Sequence, residues 1–182
     1  MTSATGVTTY SHMVLLPVLV APHQSQVVAL APEFIAPQDG HDKQDCEHAA
    51  AKRWLTQHGS TFPPQTVTLL SDDLYSHQPF CELALALPCN FILVCKPDSH
   101  PTMYKWVNTL AALGGVSGLT QRHWTGRFGE RWAYRYVNDV PLRAEADPLH
   151  VNGCELTITE KRDGRLLYYN AFVTNHPCLT TP

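Results

Sequence analysis

Charge is scarce in this sequence, and neither sign dominates it. Charged side chains make up 16% of the 182 residues and the net charge is −3. That excludes the charge-rich, apolar-poor composition of a disordered chain. Paired cysteines are missing too. Cys46, Cys81, Cys89, Cys95, Cys154 and Cys178 form no C-x-x-C and have no closely spaced histidine partners. This argues against a structural zinc site and does not look like a disulfide framework. No long apolar run is present: the stretch from Met13 to Ala21 is too short to span a bilayer and is broken by Pro17. It has no basic leader and is not read as a signal peptide, so the expectation is a cytoplasmic protein with reduced cysteines and no membrane partner. Gly-rich phosphate loops, G-x-S-x-G elbows and H-E-x-x-H helices are also absent, which removes the motifs of several large enzyme classes.

What remains is ordinary globular material. At 44% hydrophobic residues, the chain is long enough for one domain with a core. Tyr10 to Val20 is rich in β-formers and reads as a strand, with Pro17 marking an edge or a bulge. Gln26 to Leu30 reads as its hairpin partner. A helix is expected from Lys43 to His58, with Asp42 as N-cap, Asp45 at the third helical position and Gly59 as its stop. Val67 to Leu70 reads as a strand ending on Asp72 and Asp73. A helix over Pro79 to Leu87 follows, then Phe91 to Val94, a continuous apolar run expected to be covered on both faces. Thr102 to Leu113 reads as a third helix. From Gly118 the pattern alternates, with Arg162-Asp163-Gly164-Arg165 as a hairpin turn, and predicts an antiparallel meander. The expected fold is α/β, with a division into 1–115 and a β-rich 116–182.

Three groups of residues carry possible chemistry. Asp72 stands at the end of a strand, where α/β sheets place metal-binding and catalytic acids. Asp73 points to the other side, so the pair is not expected to converge on one ion. For either acid, a cap or a solvated turn is the alternative role. The second group is Asp39, His41, Asp42, Asp45, Glu47 and His48, whose donors suit a metal. Helix capping and the favourable field at a helix N-terminus account for the same acids without one. The third is Arg122, Arg127, Arg131 and Arg135, interleaved with aromatics. These suit nucleic acid, and equally a sheet with one wet face. Lys and Arg number 4 against 9 acids in residues 1–100, but 9 against 7 in 101–182. That tilt is modest for a DNA-binding surface.

The segments Val28–Ile35, Pro37–Glu47, Asp72-Asp73-Leu74-Tyr75-Ser76, Phe91–Pro97 and Tyr169–Asn175 together resemble the DDE transposases of bacterial insertion sequences. The likeness runs over nearly the whole chain from about Gly6. It implies a ribonuclease-H-like mixed sheet with a β-rich antiparallel insertion, acting on transposon-end and target DNA. It also implies Mg²⁺ or Mn²⁺ held by three acids. Asp72, which follows its strand after the small Ser71, corresponds to the second of these acids, and Asp73 is left a turn or capping role. The first acid of such enzymes ends a strand before the hairpin, and the third is a Glu on a helix after the insertion. Glu155 and Glu160 fall in expected strands and are poor substitutes. The expectation is therefore a core truncated at both ends, carrying one acid of three and inactive alone. Without the preceding strand, inner strands would keep unpaired backbone groups, each costing roughly 1–3 kcal/mol if buried. Two alternatives stand beside this reading. One is a non-catalytic DNA-binding or interaction module on the β-rich half. The other is a metal hydrolase using Asp39, His41, Asp42 and Asp72.

Overall fold

The computed structural model describes residues 13–36, 45–125 and 128–177. The chain divides into two compact units, Met1–Gly59 and Ser60–Pro182. Among the described residues are three α-helices and a six-stranded mixed sheet, an α/β architecture.

The first unit is one long hairpin broken in the middle, with a helix against it. Strand β1 (Met13–Leu15) pairs antiparallel with β4 (Glu33–Ile35), and β2 (Val18–Val20) pairs with β3 (Val27–Ala29). The break comes where Leu16 and Pro17 face Leu30, Ala31 and Pro32. One extra residue on the second side shifts the register, as in a β-bulge. Two prolines without N–H groups make the ladder impossible to continue there. Pro17 thus marks the expected bulge, while Pro32 hid the resumption of the strand as β4. Helix α1 (Glu47–His58) buries Ala50, Ala51, Trp54 and Leu55. The indole Nε1–H of Trp54 donates to the carbonyl of Ala31 at 2.7 Å, using a group that the bulge leaves out of the ladder.

The helix begins later than expected. Cys46 is its N-cap, so Asp45 lies outside it and shares no helical face with His48. Asp42, the expected cap, lies outside the described residues.

In the second unit, β5 (Thr68–Ser71) runs parallel to β6 (Asn90–Val94), with α2 (Gln78–Ala86) as the connection. A crossover helix is what a parallel pair demands. After β6 comes α3 (Pro101–Ala112), which stops at Gly114, where φ is +76°. Four long strands then follow: β7 (Ser117–Thr125), β8 (Phe128–Pro141), β9 (His150–Glu160) and β10 (Leu166–Thr174). The sheet order is β5-β6-β10-β9-β8-β7, so the meander joins the α/β part through β10 on β6, and β5 is an edge strand. The turn between β9 and β10 uses Gly164 at φ +73°, where a side chain would be strained.

Phe91, Leu93, Cys81, Ala84, Cys95, Met103, Val107, Val137, Ala171 and Val173 form the buried centre. Gly153 allows α3 to approach the sheet, since a Cβ there would sit 3.3 Å from Val137 Cγ1 and 3.6 Å from Met103 Cε. Strand β6 is not covered on both faces as its apolar run suggested. Phe91 and Leu93 are fully buried, but Ile92, on the opposite face, is 37% exposed. Among the described residues, no helix is long and apolar enough to cross a membrane.

Candidate functional site

Strand β5 delivers two carboxylates to its C-terminal end, and they do different things. Asp72 is exposed and takes an extended conformation. Its Oδ1 accepts the Leu74 N–H at 3.0 Å, which caps the short 3-10 turn Asp73–Tyr75. Asp73 turns the other way, toward the loop after β6. Its Oδ1 accepts the Lys96 N–H at 2.7 Å and its Oδ2 accepts the Ser99 hydroxyl. The His100 imidazole lies 4.0 Å away. Burial alone would raise the Asp73 pKa, but the Lys96 amide, the Ser99 hydroxyl and His100 together hold it below the ordinary carboxylate value. The two acids therefore diverge, because the chain leaves the strand at Asp72 and enters the 3-10 turn at Asp73. The cap belongs to Asp72, and Asp73, expected to be a turn or cap residue, braces β5 against the β6–α3 loop.

Beneath this turn, Ser76 is fully buried and His100 is 5% exposed. Ser76 Oγ donates to the Asp73 carbonyl at 2.9 Å and lies 2.7 Å from His100 Nε2. The imidazole of His77 stacks on that of His100 with ring centroids 5.0 Å apart. None of these residues stands out in the sequence, because the contact joins two segments 24 residues apart.

The fit of this region to the expected three-acid metal site can be judged from its donors. Asp72 offers one carboxylate with one oxygen engaged, and both oxygens of Asp73 are occupied by hydrogen-bond donors. Among the described residues, no group of three or more His, Cys, Asp or Glu is arranged to hold a metal ion. The described residues alone do not make the Mg²⁺ or Mn²⁺ site that three acids would.

In the acidic segment, Asp39, His41 and Asp42 lie outside the described residues. Asp45 is taken. It grips the Arg53 guanidinium through both oxygens, at 2.8 and 2.9 Å, and accepts the N–H groups of Ala36 and Cys46. Arg53 first, with the two amides, holds the Asp45 carboxyl down at about 2 despite the opposing effect of burial. Arg53 also reaches Glu33 at 2.8 Å and the Phe34 carbonyl at 3.2 Å. This is a clasp between α1 and β4, built from a planar fork that matches a carboxylate. Glu47 sits in the first turn of α1, where an acid is favoured by the helix field, and His48 is the next residue of the same helix.

The β-rich half presents a third candidate, a basic face. Strands β7 and β8 pair so that Arg122 stands directly opposite Arg131, and Trp124 opposite Gly129. Directly opposed residues share a face. Both arginines are exposed, and neither has a carboxylate partner among the described residues. Trp124 is 70% exposed, with the Lys161 ammonium 4.9 Å from its ring centroid. Gly129 makes room for this pair, since a Cβ there would meet Lys161 Cδ at 3.3 Å and the Trp124 ring at 3.4 Å. Arg135 lies further along the same face but is paired with Glu155 at 2.9 Å. Arg127 lies outside the described residues. Trp132, Tyr134 and Tyr136 fall on the opposite face, where Trp132 meets the ring of His123 at 4.6 Å. Lys161 was missed in the sequence because only the β8–β9 register brings it beside Trp124.

No protein-family model matches the chain, and comparison with curated proteins yields no match.

Proposed function

We propose that this chain is part of the ribonuclease-H-like catalytic core of a DDE transposase, acting in DNA transposition, with Asp72 as one of its acids. The observation that carries the reading is the position of Asp72, an exposed carboxylate directly after β5, beside the parallel strand β6. Open α/β sheets gather reactive groups at the carboxyl ends of parallel strands. The order of hairpin, helix, acid-bearing strand, helix, strand, helix and antiparallel run also agrees with the resemblance. The edge position of β5 fits a core in which a further strand precedes the hairpin. Because the described residues bring no second carboxylate to Asp72, the chain alone is proposed to be inert. Labelled transposon-end DNA incubated with the chain and Mn²⁺ should remain uncut. Nicking that disappears in Asp72→Ala would overturn the proposed inertness. The transposase reading itself is tested by the genomic DNA on either side. That DNA is expected to encode an Asp-bearing strand upstream and a Glu-bearing helix downstream, and finding neither in any frame overturns it.

The basic face favours a second reading, in which the β-rich half binds DNA without catalysis. Two arginines held opposite each other, with no carboxylate partner among the described residues, repel, and a phosphate between them relieves that repulsion. Gel-shift titration should reveal salt-dependent binding. If low-salt titrations detect no complex, this reading fails.

A further inference from the structure

The cluster beneath the Asp72–Asp73 turn has a proton arrangement with a consequence for the fold. Ser76 has one hydroxyl proton and two close partners, the Asp73 carbonyl at 2.9 Å and His100 Nε2 at 2.7 Å. With the hydroxyl proton donated to the carbonyl, the His100 contact is a hydrogen bond only if Nε2 carries a proton and donates to Ser76 Oγ. The neutral imidazole then holds its proton on Nε2, which leaves Nδ1 as the site that a second proton would take. Ser76 and His100 are both buried, so a charge on His100 is costly there.

The charged and titratable groups around His100 come from three elements. Asp73 and Ser76 come from the turn after β5, and His77 from the residue preceding α2. Lys96 and Ser99 come from the loop before α3, both bonded to Asp73. Burial and His77 push the His100 pKa below its ordinary value, against the opposing pull of Asp73. His100 itself is the residue preceding α3, and its carbonyl accepts the Tyr104 N–H of that helix. The imidazole thus joins the start of α3 to the turn that carries both acids.

We propose that the Ser76–His100–Asp73 cluster is a pH-sensitive latch, which fastens the Asp72–Asp73 turn to the start of α3 through Ser76 while His100 is neutral and is redrawn toward Asp73 when His100 is protonated. An imidazolium here is drawn toward the Asp73 carboxylate, 4.0 Å from Nε2, and both oxygens of that carboxylate are already bonded to Lys96 and Ser99. The imidazolium Nε2–H still donates to Ser76 Oγ. What protonation adds is a positive charge that competes with the Lys96 amide and the Ser99 hydroxyl for the Asp73 carboxylate, and the bonds that hold the end of β5 are redrawn. The latch is independent of the transposase reading, because it concerns the geometry of the turn and not the reaction.

Nuclear magnetic resonance of the ¹⁵N-labelled chain tests this between pH 8 and pH 5, a window above ordinary carboxylate titration. The His100 ring nitrogens report its protonation. The amides of Leu74 and Lys96, bonded to Asp72 and Asp73, report the turn. The expected result is a His100 midpoint below 6.5, with both amides shifting at that same midpoint. Ser76→Ala keeps the imidazole but removes the link, and should uncouple the amide shifts from His100. His100→Gln should abolish them, and His77→Gln should leave them coupled. Amides that stay still while His100 titrates overturn the proposal, as do amides that follow His77 instead. Should His100→Gln not fold, the unmodified chain and Ser76→Ala still decide.

Discussion

Replacing Arg131 by Glu should stabilise the fold while weakening DNA binding, and those opposite signs make it the sharpest test of the basic face. The structure sets two arginines directly opposite each other on β7 and β8. Like charges in that relation cost a few tenths of a kcal/mol, and an opposite pair contributes roughly 0.2–1 kcal/mol. Arg131→Glu exchanges the first for the second, for a gain of about 0.5–1.5 kcal/mol. A domain of this size responds with a rise in Tm of roughly 2–6 °C. Binding should move the other way. If Arg122, Arg131 and Lys161 each neutralise one phosphate, log K falls against log salt with a slope of about −2.7, and loss of one contact reduces it to about −1.8. Arg131→Gln isolates that change, and the Glu variant adds repulsion and binds more weakly still. Circular-dichroism melts and fluorescence anisotropy with labelled duplex at four salt concentrations supply both readouts. Arg135→Gln is the control, because Arg135 is already neutralised by Glu155 and should barely alter the slope. An unchanged slope in Arg131→Gln, or a lower Tm in Arg131→Glu, would refute the reasoning.

The two adjacent acids should separate in urea unfolding. Asp72→Ala loses one cap bond and should cost about 1 kcal/mol, whereas Asp73→Ala strands the Lys96 amide and the Ser99 hydroxyl and should cost more, about 2 kcal/mol. Asp45 makes the first unit acid-sensitive. Its pKa falls from 3.8 to about 2 on folding, so its contribution is complete above pH 4 and is lost as pH drops through about 2. Chemical shifts of the Trp54 indole N–H followed from pH 5 to pH 2 should register that loss, and Arg53→Gln should flatten the dependence. Gly153→Val should lever α3 off the sheet and cost about 2–3 kcal/mol in a denaturant titration, because the added branch meets Val137 and Met103 at contact distance.

Much of the architecture was legible because it rests on local rules. The hairpin turn at Gly164, the stop of α3 at Gly114 and the apolar run of β6 each follow from the conformational limits of a few neighbouring residues. The start of α1 was misread because Asp42 and Asp45 both look like capping acids. What moved Asp45 out of the helix was a bidentate partner eight residues ahead, and a guanidinium fork outweighs the modest preference of a cap. Strand β4 was missed because Pro32 reads locally as an end, whereas pairing with β1 restarts the ladder beyond it.

The candidate sites divide along the same line. By itself the sequence determined that an acid pair would stand at the end of a strand, since the apolar run before it is a local pattern. The divergence of the two acids comes instead from the 3-10 turn that begins at Asp73. It also determined that arginines and aromatics would alternate between faces from Arg131 to Tyr136. Only the tertiary structure decided which acid caps its own turn and which is tied across the fold, because the Lys96 amide and Ser99 hydroxyl that hold Asp73 arrive on the loop after β6. Only the register decided that Arg122 meets Arg131 and that Lys161 lies over Trp124. Local geometry says where a side chain points. What it meets there depends on long-range pairing, which no single segment encodes.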